Sequence, residues 1–508
     1  MNKKLRTLTL LGSIVYILLL FLLTFVEGKS DSASIQGFAD ALWYSIVTLS
    51  TVGYGDLYPV TVAGRIIGVC FVLMSVGVLS FIIGAAISFL TGTLLPALRL
   101  RMVRDKQWYV FSGGDDAALS LQKDLEQHHP EALFLFPAAQ ADRVGSRSNI
   151  RFYTGTPEQA VADKTDRCSL FFMEADTDNY TPALRAVSTG FPVYARSRQE
   201  PEVPTPNLTL FNRYTCCARE YWRSRPLHTA ETTILLVGSG EYAAALLEHG
   251  LLMNVYGNEH SVHWHCFGDW SGFRRNHPQL CGQNALFGDS LTFHEVPWNE
   301  SALLNTADRI LLCSDHDREN TEILRQLRRY HPIKGKLHLR AGSCLPGETV
   351  FGTDDRIYTE ELVMGTQLTA TAQLMHQIYL ESTGCSSPAW EDLSPFLQQS
   401  NIAAADHLLT KVRMLLGDDG ITALTKENCT AAAQVYERSR GQLAEQYREI
   451  EHLRWMRFHT LYNWQYAPTR DNAARLHPLM QPYTMLSTTE QAKDDYAWEL
   501  IGEIAERM

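Results

Sequence analysis

Hydrophobic positions divide this chain into three regimes. Residues 8–26 are apolar without a break, and 66–90 form a second run of the same kind. At about 1.5 Å of rise per residue, each run as a helix reaches across a hydrocarbon layer about 30 Å thick, so the pattern predicts two membrane spans. Between them, 39–50 reads as a short amphipathic helix carrying Trp43 and Tyr44. From Gln107 the period changes. Short apolar runs at 108–111, 132–136, 150–153, 169–173 and 192–195 alternate with helical stretches, and the plan repeats at 233–237, 262–267, 291–296, 309–313 and 336–340. Strands alternating with helices signal a parallel sheet, here two Rossmann-like units in tandem. Past about residue 382 the strand pattern stops. Ser386-Ser387-Pro388 marks a linker, 390–416 reads as helices broken at Ser400-Asn401, 417–420 is a turn, and 430–456 is one long helix.

Charge orients the two spans. Lys3, Lys4 and Arg6 precede the first; Arg99, Arg101, Arg104 and Lys106 follow the second. Basic residues stay on the cytoplasmic side, so both termini are expected there and 27–62 re-enters from outside. A cleaved signal peptide is the competing reading of 8–26; its length and lack of a small-residue cleavage site count against it. No helix carries the spaced arginines of a voltage sensor. The net charge of −11 over 508 residues argues against a nucleic acid polymer as partner, since phosphate binding needs basic patches. Ten cysteines without CxxC or zinc spacing fit reduced thiols in cytosol.

Thr51-Val52-Gly53-Tyr54-Gly55-Asp56 lies just after the short amphipathic helix. Gly53 and Gly55 permit backbone angles that a Cβ forbids, so successive carbonyls can face one axis, with the Thr51 hydroxyl adding a layer. Val52 and Tyr54 then point outward. Repeated by four chains, such a loop replaces the water shell of K⁺ with peptide oxygens. An ordinary glycine-rich turn is the bland alternative. The six residues resemble the selectivity filter of potassium channels, and Leu57-Tyr58-Pro59 and Gly64-Arg65 match the pattern that follows it. The resemblance implies a homotetramer in a lipid bilayer with K⁺ at the filter carbonyls as its only metal. It also implies a pore helix over 39–50, and support of the filter by Trp43, Tyr44 and Asp56. Many such channels pair the filter Asp with a pore-helix Glu. Here that position is Val47, which leaves Trp43 or water as partner for Asp56. Gly77 and Gly84 are either hinges or close-packing sites in the inner helix, and Ser75 stands where many relatives keep a hinge glycine. Ile83, Ile87 and Leu90 are candidates for an apolar constriction that gates by dewetting.

The glycine turns of the two sheet units differ. A dinucleotide fold needs glycines for close pyrophosphate approach and a carboxylate after strand two for the ribose. In the first unit Ser112 replaces the first glycine, and strand two runs into Pro137-Ala138-Ala139; it reads as structural. The second unit keeps Gly238, Gly240 and Ala243, with Asp269 closing its second strand. Nucleotide binding and bare packing both stay open there. A pore followed by two such units resembles potassium channels with tandem RCK (regulator of K⁺ conductance) domains over roughly 107–380. That implies a cytoplasmic ring pulling on the inner helices through 94–106. His260, His263, His265 and Cys266 are spaced like metal ligands, but a strand puts His263 and His265 on one face and Cys266 on the other. Asp315, His316 and Asp317 are either ligand contacts at the sheet edge or a plain turn.

The C-terminal letters are distinctive: Glu451-His452-Leu453-Arg454-Trp455, Trp464-Gln465-Tyr466, Arg470-Asp471, His477-Pro478-Leu479 and Pro482-Tyr483. Their order resembles the ryanodine-receptor repeat domain over about 440–508, with Asn463 where a Gly is usual. Clustered rings beside Arg and His suit a planar anionic ligand such as a nucleotide. Arg454, Trp455, Trp464, Tyr466, Arg470, Asp471, His477 and Tyr483 are therefore ligand candidates, against the alternative that the aromatics are simply core.

Together these readings give a multidomain chain. Residues 1–106 are an α-helical two-span pore and linker, 107–229 and 230–384 two α/β Rossmann-like RCK domains, 385–439 a helical connector, and 440–508 an all-α ryanodine-repeat module. The expected function is a K⁺-selective channel of the cell's inner (plasma) membrane, gated by a small cytosolic, nucleotide-like ligand. It is not expected to be an enzyme, because no nucleophile–base constellation sits beside either glycine turn. The alternatives are a subunit of a K⁺ uptake transporter or a membrane-anchored nucleotide-dependent enzyme.

Overall fold

The computed structural model describes residues 3–90, 106–161, 167–175, 177–198, 205–257, 259–282, 288–383 and 388–508. The chain forms two compact units, 1–104 and 105–508. All of the expected linker 94–106 except Lys106 lies outside the described residues, as do Ser386 and Ser387.

In the first unit, α1 (Lys3–Glu27), α2 (Phe38–Leu49) and α3 (Val62–Phe89) pack around a small core of Leu20, Leu23, Ile35, Ala41, Ile67 and Phe71. The expected spans fall on α1 and α3. Among the described residues, however, no helix is long and apolar enough to cross a membrane; the side chains of α1 before Ile14 and several in the second half of α3 lie outside them. The described outer faces are strongly apolar. Leu18, Phe21 and Phe25 on α1 and Val62, Ile66 and Leu73 on α3 are each about 60% exposed or more. Water does not favour so large a contiguous apolar surface.

The second unit holds two six-stranded parallel sheets. The first comprises β1 (Trp108–Phe111), β2 (Leu133–Pro137), β3 (Ile150–Tyr153), β4 (Cys168–Phe172), β5 (Val193–Arg196) and β6 (Leu208–Phe211), in the order β3-β2-β1-β4-β5-β6. The second comprises β7 (Thr233–Val237), β8 (His263–Phe267), β9 (Ser290–His294), β10 (Arg309–Leu312), β11 (Lys336–Arg340) and β12 (Thr349–Phe351). Its order, β12-β11-β10-β7-β8-β9, is the same doubly wound arrangement read from the other edge. Apolar runs flanked by helices on both faces are what a wholly parallel sheet requires. β1, β4 and β10 are accordingly buried at every position.

After β1 the chain enters α4 (Asp116–His128). The two sheet units are joined by α5 (Arg213–Ser224), which lies across α6 (Glu241–Met253). Trp222 of α5 meets Trp264 of β8 edge-on at 5.7 Å. Gly250 makes room for both rings, since a Cβ there would fall 2.6 Å from Trp264. Beyond α7 (Asp317–Tyr330), the C-terminal third is built from α8 (Thr366–Thr383), α9 (Pro395–Leu416), α10 (Lys426–Leu461) and α11 (Tyr496–Arg507). Two expectations change. Ser400 and Asn401 do not break a helix: α9 runs through them, Asn401 bonding back to the Leu397 carbonyl, and the cap is Ser394, which accepts from Leu397 N–H. The C-terminal region is also not purely helical, because β13 (Gln465–Tyr466) pairs with β14 (Leu476–His477). The expected boundary between 439 and 440 falls inside α10, whose 36 residues carry a Thr425–Asn428 capping box at their start.

Candidate selectivity filter and ligand sites

α2 ends by gathering the loop after it. The Val47 carbonyl accepts from both Val52 N–H (3.1 Å) and Gly53 N–H (3.2 Å), and the Thr48 carbonyl from Thr51 N–H. The loop therefore starts pinned to the carbonyl end of the helix, where the helix dipole favours a cation. Its backbone alternates. Thr51, Gly53 and Gly55 have φ of +58°, +57° and +73°, while Val52 and Tyr54 are not in the positive-φ region. A residue-by-residue change of hand turns consecutive carbonyls to one side of the chain. For a β-branched residue such as Thr51 this conformation is a genuine outlier, of the kind that persists where function holds it in place.

Side chains brace the loop. Trp43 stacks on Tyr54 with ring centroids 6.2 Å apart and planes 4° from parallel, and its Nε1–H donates to Asp56 Oδ2 at 2.9 Å. Asp56 thus has Trp43 as partner, with Val47 contributing only its carbonyl. Tyr44 turns the other way, edge-on to Phe71 of α3, its hydroxyl 2.7 Å from where a Cβ on Gly68 would stand. Trp43→Phe is expected to keep the stack but free Asp56, so that current through a reconstituted pore decays several-fold faster under sustained opening. An unchanged decay would show that the Trp43–Asp56 bond does not hold the filter.

Sequence reasoning missed Glu27. Its buried carboxylate, at the end of α1, accepts from Val60 N–H and Thr61 N–H at 3.0 Å each and from the Thr61 hydroxyl. Thr61 in turn caps α3 by accepting from Gly64 N–H at 2.9 Å. A Cβ on Gly64 would come within 2.0 Å of Glu27 Oε1. The readable signal was a carboxylate closing an apolar run opposite a Thr-x-x-Gly helix start. Glu27→Gln should weaken the unit by about 1.5–3 kcal/mol, the scale of a lost charge-assisted bond, read as a lower melting temperature in detergent micelles. Of the gate candidates, α3 runs unbroken through Gly77 and Gly84. Ile83, Ile87 and Leu90 are 49%, 54% and 42% exposed in the isolated chain.

At the second glycine turn, Gly238 and Gly240 take φ of +125° and +112°, and a Cβ on Gly238 would lie 2.4 Å from Ser314 N. The helix N-terminus is already occupied. Asp315, just past β10, accepts from Glu241 N–H (3.1 Å) and Tyr242 N–H (3.0 Å), the groups that a pyrophosphate would use. Ala243 is buried behind them, and Asp269 is exposed with its carboxylate turned to Ser271 N–H. Asp317 pairs with Arg340 at 2.7 Å. In the first sheet the corresponding helix is capped locally: Asp115, its N-cap, accepts from Ala118 N–H and also from Ala175 N–H, and Glu174 fills the space beside Gly113. His265 Nδ1 lies 3.0 Å from His294 Nε2, and His263 bonds Ser290. Among the described residues no His, Cys, Asp or Glu group is arranged to hold a metal ion.

The C-terminal candidates separate into buried and exposed sets. Arg454 is buried and gives Nε and Nη2 to Glu451 Oε1 at 3.0 and 2.7 Å; Lys411 binds the other Glu451 oxygen at 2.6 Å. Trp464, His477 and Tyr483 are buried, and Trp464 packs with Met456 and Met480. Trp455 is half-buried, 3.9 Å from the His459 ring and 5.0 Å from that of His477. Burial and then Arg470 push the His477 imidazole down to about 4, so it is neutral at physiological pH. Tyr466, Arg470 and Asp471 are exposed. Asp471 caps Ala473 and Ala474 N–H, while Arg470 bonds Asn472 rather than Asp471.

Residues 5–92 match the profile of the Ion_trans_2 family, described as an ion channel. A voltage-gated potassium channel of Aeropyrum pernix is 37% identical over 83 residues, 16% of this chain and 28% of that protein. Human potassium voltage-gated channel subfamily A member 6 is 48% identical over 44 residues, 9% of this chain and 8% of that protein. Both are channels rather than enzymes, and each match spans less than a third of the relative. Among solved structures, GsuK bound to ADP superposes with a TM-score of 0.32 at 16% identity over 70% of this chain and 97% of that one. The GsuK channel bound to NAD gives 0.29 at 13% over 67% and 78%. Scores of this size establish no common fold.

Proposed function

We propose that this chain is one subunit of a homotetrameric K⁺-selective channel of the inner membrane, with cytoplasmic termini and a small nucleotide-like cytosolic ligand controlling its opening. The observation that carries this reading is the alternating backbone of 51–55, strained at Thr51 and held by the end of α2. Carbonyls turned to one side make a cation path only when several chains share an axis. The exposed apolar faces of α1 and α3 supply surfaces for lipid and for neighbouring copies. The match of 5–92 to an ion-channel family and of 83 residues to a potassium channel supports the same conclusion.

The second unit supplies the regulatory part. Two doubly wound sheets of the RCK plan and a C-terminal region resembling the ryanodine-receptor repeat offer sites on which a ligand can act. Trp455, Tyr466, Arg470 and Asp471 are the accessible members of the latter set. Ile83, Ile87 and Leu90 form the apolar gate, with Gly77 and Gly84 as the flexible points. A ligand opens such a gate only through its preference for the open state, and about 5.5 kcal/mol moves the balance from 1:99 to 99:1. Weak sites multiplied over four chains reach that figure. Planar-bilayer recording of the purified protein, with candidate mononucleotides titrated on each face, tests the reading. It expects K⁺ current that changes with ligand on one face only; protein that stays monomeric and silent under all of them would overturn it.

A further inference from the structure

Beyond the carboxyl ends of β4, β5 and β6 lies a cleft of about 650 Å³, within the range of about 300–1,000 Å³ typical of small-molecule sites. Ligands of parallel sheets sit at this end of the strands, yet the turn after β1 contributes nothing to the lining. Three arginines do. Arg196 ends β5, Arg198 follows two residues later, and Arg213 opens α5 just after β6.

Their charge is unanswered. Among the described residues none of the three forms an ion pair with a carboxylate. Arg213 Nε–H donates to the Tyr242 hydroxyl at 2.7 Å and Arg198 Nη2–H to the Tyr214 hydroxyl at 3.3 Å, while Arg196 has no hydrogen-bond partner among those residues. Arg198 and Arg213 each stand 5.9 Å from the centre of the Tyr214 ring, so two like charges share one ring. Arg213 is also the first residue of α5, whose first turn carries no acidic side chain; the helix dipole disfavours a cation at that end. The carboxylates nearby are committed elsewhere. Asp178 Oδ1 accepts from Tyr180 N–H at 3.0 Å and Thr181 N–H at 3.2 Å. Glu174 lies against Gly113, its carboxyl pushed up by burial and then by Asp115. Asp354 attracts Arg213 and Arg196 only from beyond ion-pair distance, and burial pushes its own carboxyl up. Arg196 and Arg213 are half-buried, and a cation drawn out of water without a counter-ion costs free energy that an anion would recover.

We propose that this cleft binds a diphosphate group, whether free pyrophosphate or the diphosphate of a nucleotide. Arg196 and Arg213 offer it guanidinium N–H groups that no carboxylate occupies, Arg198 adds a third cation, and the start of α5 turns its favourable pole toward the anion. An arginine fork matches phosphate oxygens two at a time. Three forks around one cleft therefore call for two phosphoryl groups rather than one. The first sheet unit, whose glycine turn reads as structural, thus carries a ligand site of its own. The inference rests on the ligand-regulated reading above for its purpose, while binding itself is measured without current.

Calorimetric titration of the full-length protein in detergent micelles, with inorganic phosphate, pyrophosphate and ADP as probes, tests the site. Pyrophosphate should bind saturably and at least about tenfold more tightly than phosphate. ADP that displaces pyrophosphate and binds more tightly makes a nucleotide the source of the diphosphate; ADP that displaces it but binds more weakly makes the free anion the source. Arg196→Ala should cost pyrophosphate at least about tenfold at an unchanged ligand-free melting temperature, since the cation removed has no hydrogen-bond partner among the described residues. Arg198→Gln, at an exposed position, serves if the alanine variant does not fold, and should give a loss of the same kind. No saturable heat with pyrophosphate, equal affinity for phosphate and pyrophosphate, or undiminished pyrophosphate binding by a folded Arg196→Ala or Arg198→Gln protein overturns the assignment. Pyrophosphate binding in the expected pattern by a protein that passes no K⁺ would leave the cleft standing and remove the channel reading alone.

Discussion

Replacing Gly53 with alanine is expected to bring K⁺/Na⁺ discrimination to nearly nothing while leaving the fold of the chain intact. Gly53 sits at φ +57° between Val52 and Tyr54. Among the described residues no atom outside its neighbours lies within 4 Å of an added Cβ, so the effect is conformational rather than a clash. An L-residue held left-handed costs roughly 1–2 kcal/mol, and four chains would carry that cost around one axis. The relief is to flip the peptide, which turns a carbonyl away from the ion path and breaks the coordination that replaces water. Bi-ionic recordings of the variant should give a permeability ratio near unity or no current. A circular dichroism spectrum and melting temperature close to those of the unmodified protein would place the loss in the loop.

Glu451→Gln should cost the second unit about 3–5 kcal/mol, the scale on which removing one partner of a buried charge pair destabilises a protein. Glu451 is 6% exposed, between Lys411 and Arg454, which are 0% and 3% exposed. Without its carboxylate both cations remain buried with too little opposing charge, and Lys411 keeps the Ala497 carbonyl at 3.1 Å and the face of the Trp498 ring. In the unmodified protein burial and then Glu451 push the Asp494 carboxyl up to about 8; the variant removes the second of these, so Asp494 offsets part of the loss and the cost falls toward the lower end of that range. The sign of the pH dependence follows. Burial pushes the Glu451 carboxyl up, but Arg454 and Lys411 more than reverse this and hold it well below the ordinary carboxylate range. A depressed folded-state value means the contribution is present above the unfolded value of about 4.3 and disappears as pH falls through the folded one. Urea unfolding at pH 7 should show the full difference between the two proteins. Below pH 4 the difference should shrink, and a gap constant down to pH 2 would refute the assignment.

Much of the architecture could be read from the letters because a parallel sheet writes itself as continuous apolar runs. The strands at 108–111, 150–153, 233–237 and 336–340 fall where the pattern put them. Each sheet's sixth strand was missed. β6 has only Phe211 buried, and β12 has three residues with one buried; neither carries enough apolar signal to stand out from loop. The supposed break at Ser400-Asn401 misjudged two polar letters as a cap when Ser394, just before Pro395, offered the better start. Short polar side chains also decided what could not be read. Glu27 and Asp315 act on backbone N–H groups 33 and 74 positions away in the chain, and nothing in local periodicity reports a contact that only folding creates. The aromatic letters of 451–483 announced a cluster but not which rings face outward. Burial of Trp464 and Tyr483, with Trp455, Tyr466 and Arg470 left accessible, is set by packing on α9 and α10.

The reversal potential of the reconstituted protein, with K⁺ on one side of the bilayer and an equal concentration of Na⁺ on the other, bears most directly on the loop at 51–55. A ring of peptide oxygens fitted to K⁺ drives it far from zero, with the K⁺ side negative so that K⁺ is held back. A reversal near zero, with Na⁺ carrying current as readily as K⁺, would contradict the assignment of Thr51 to Gly55 as the selective element.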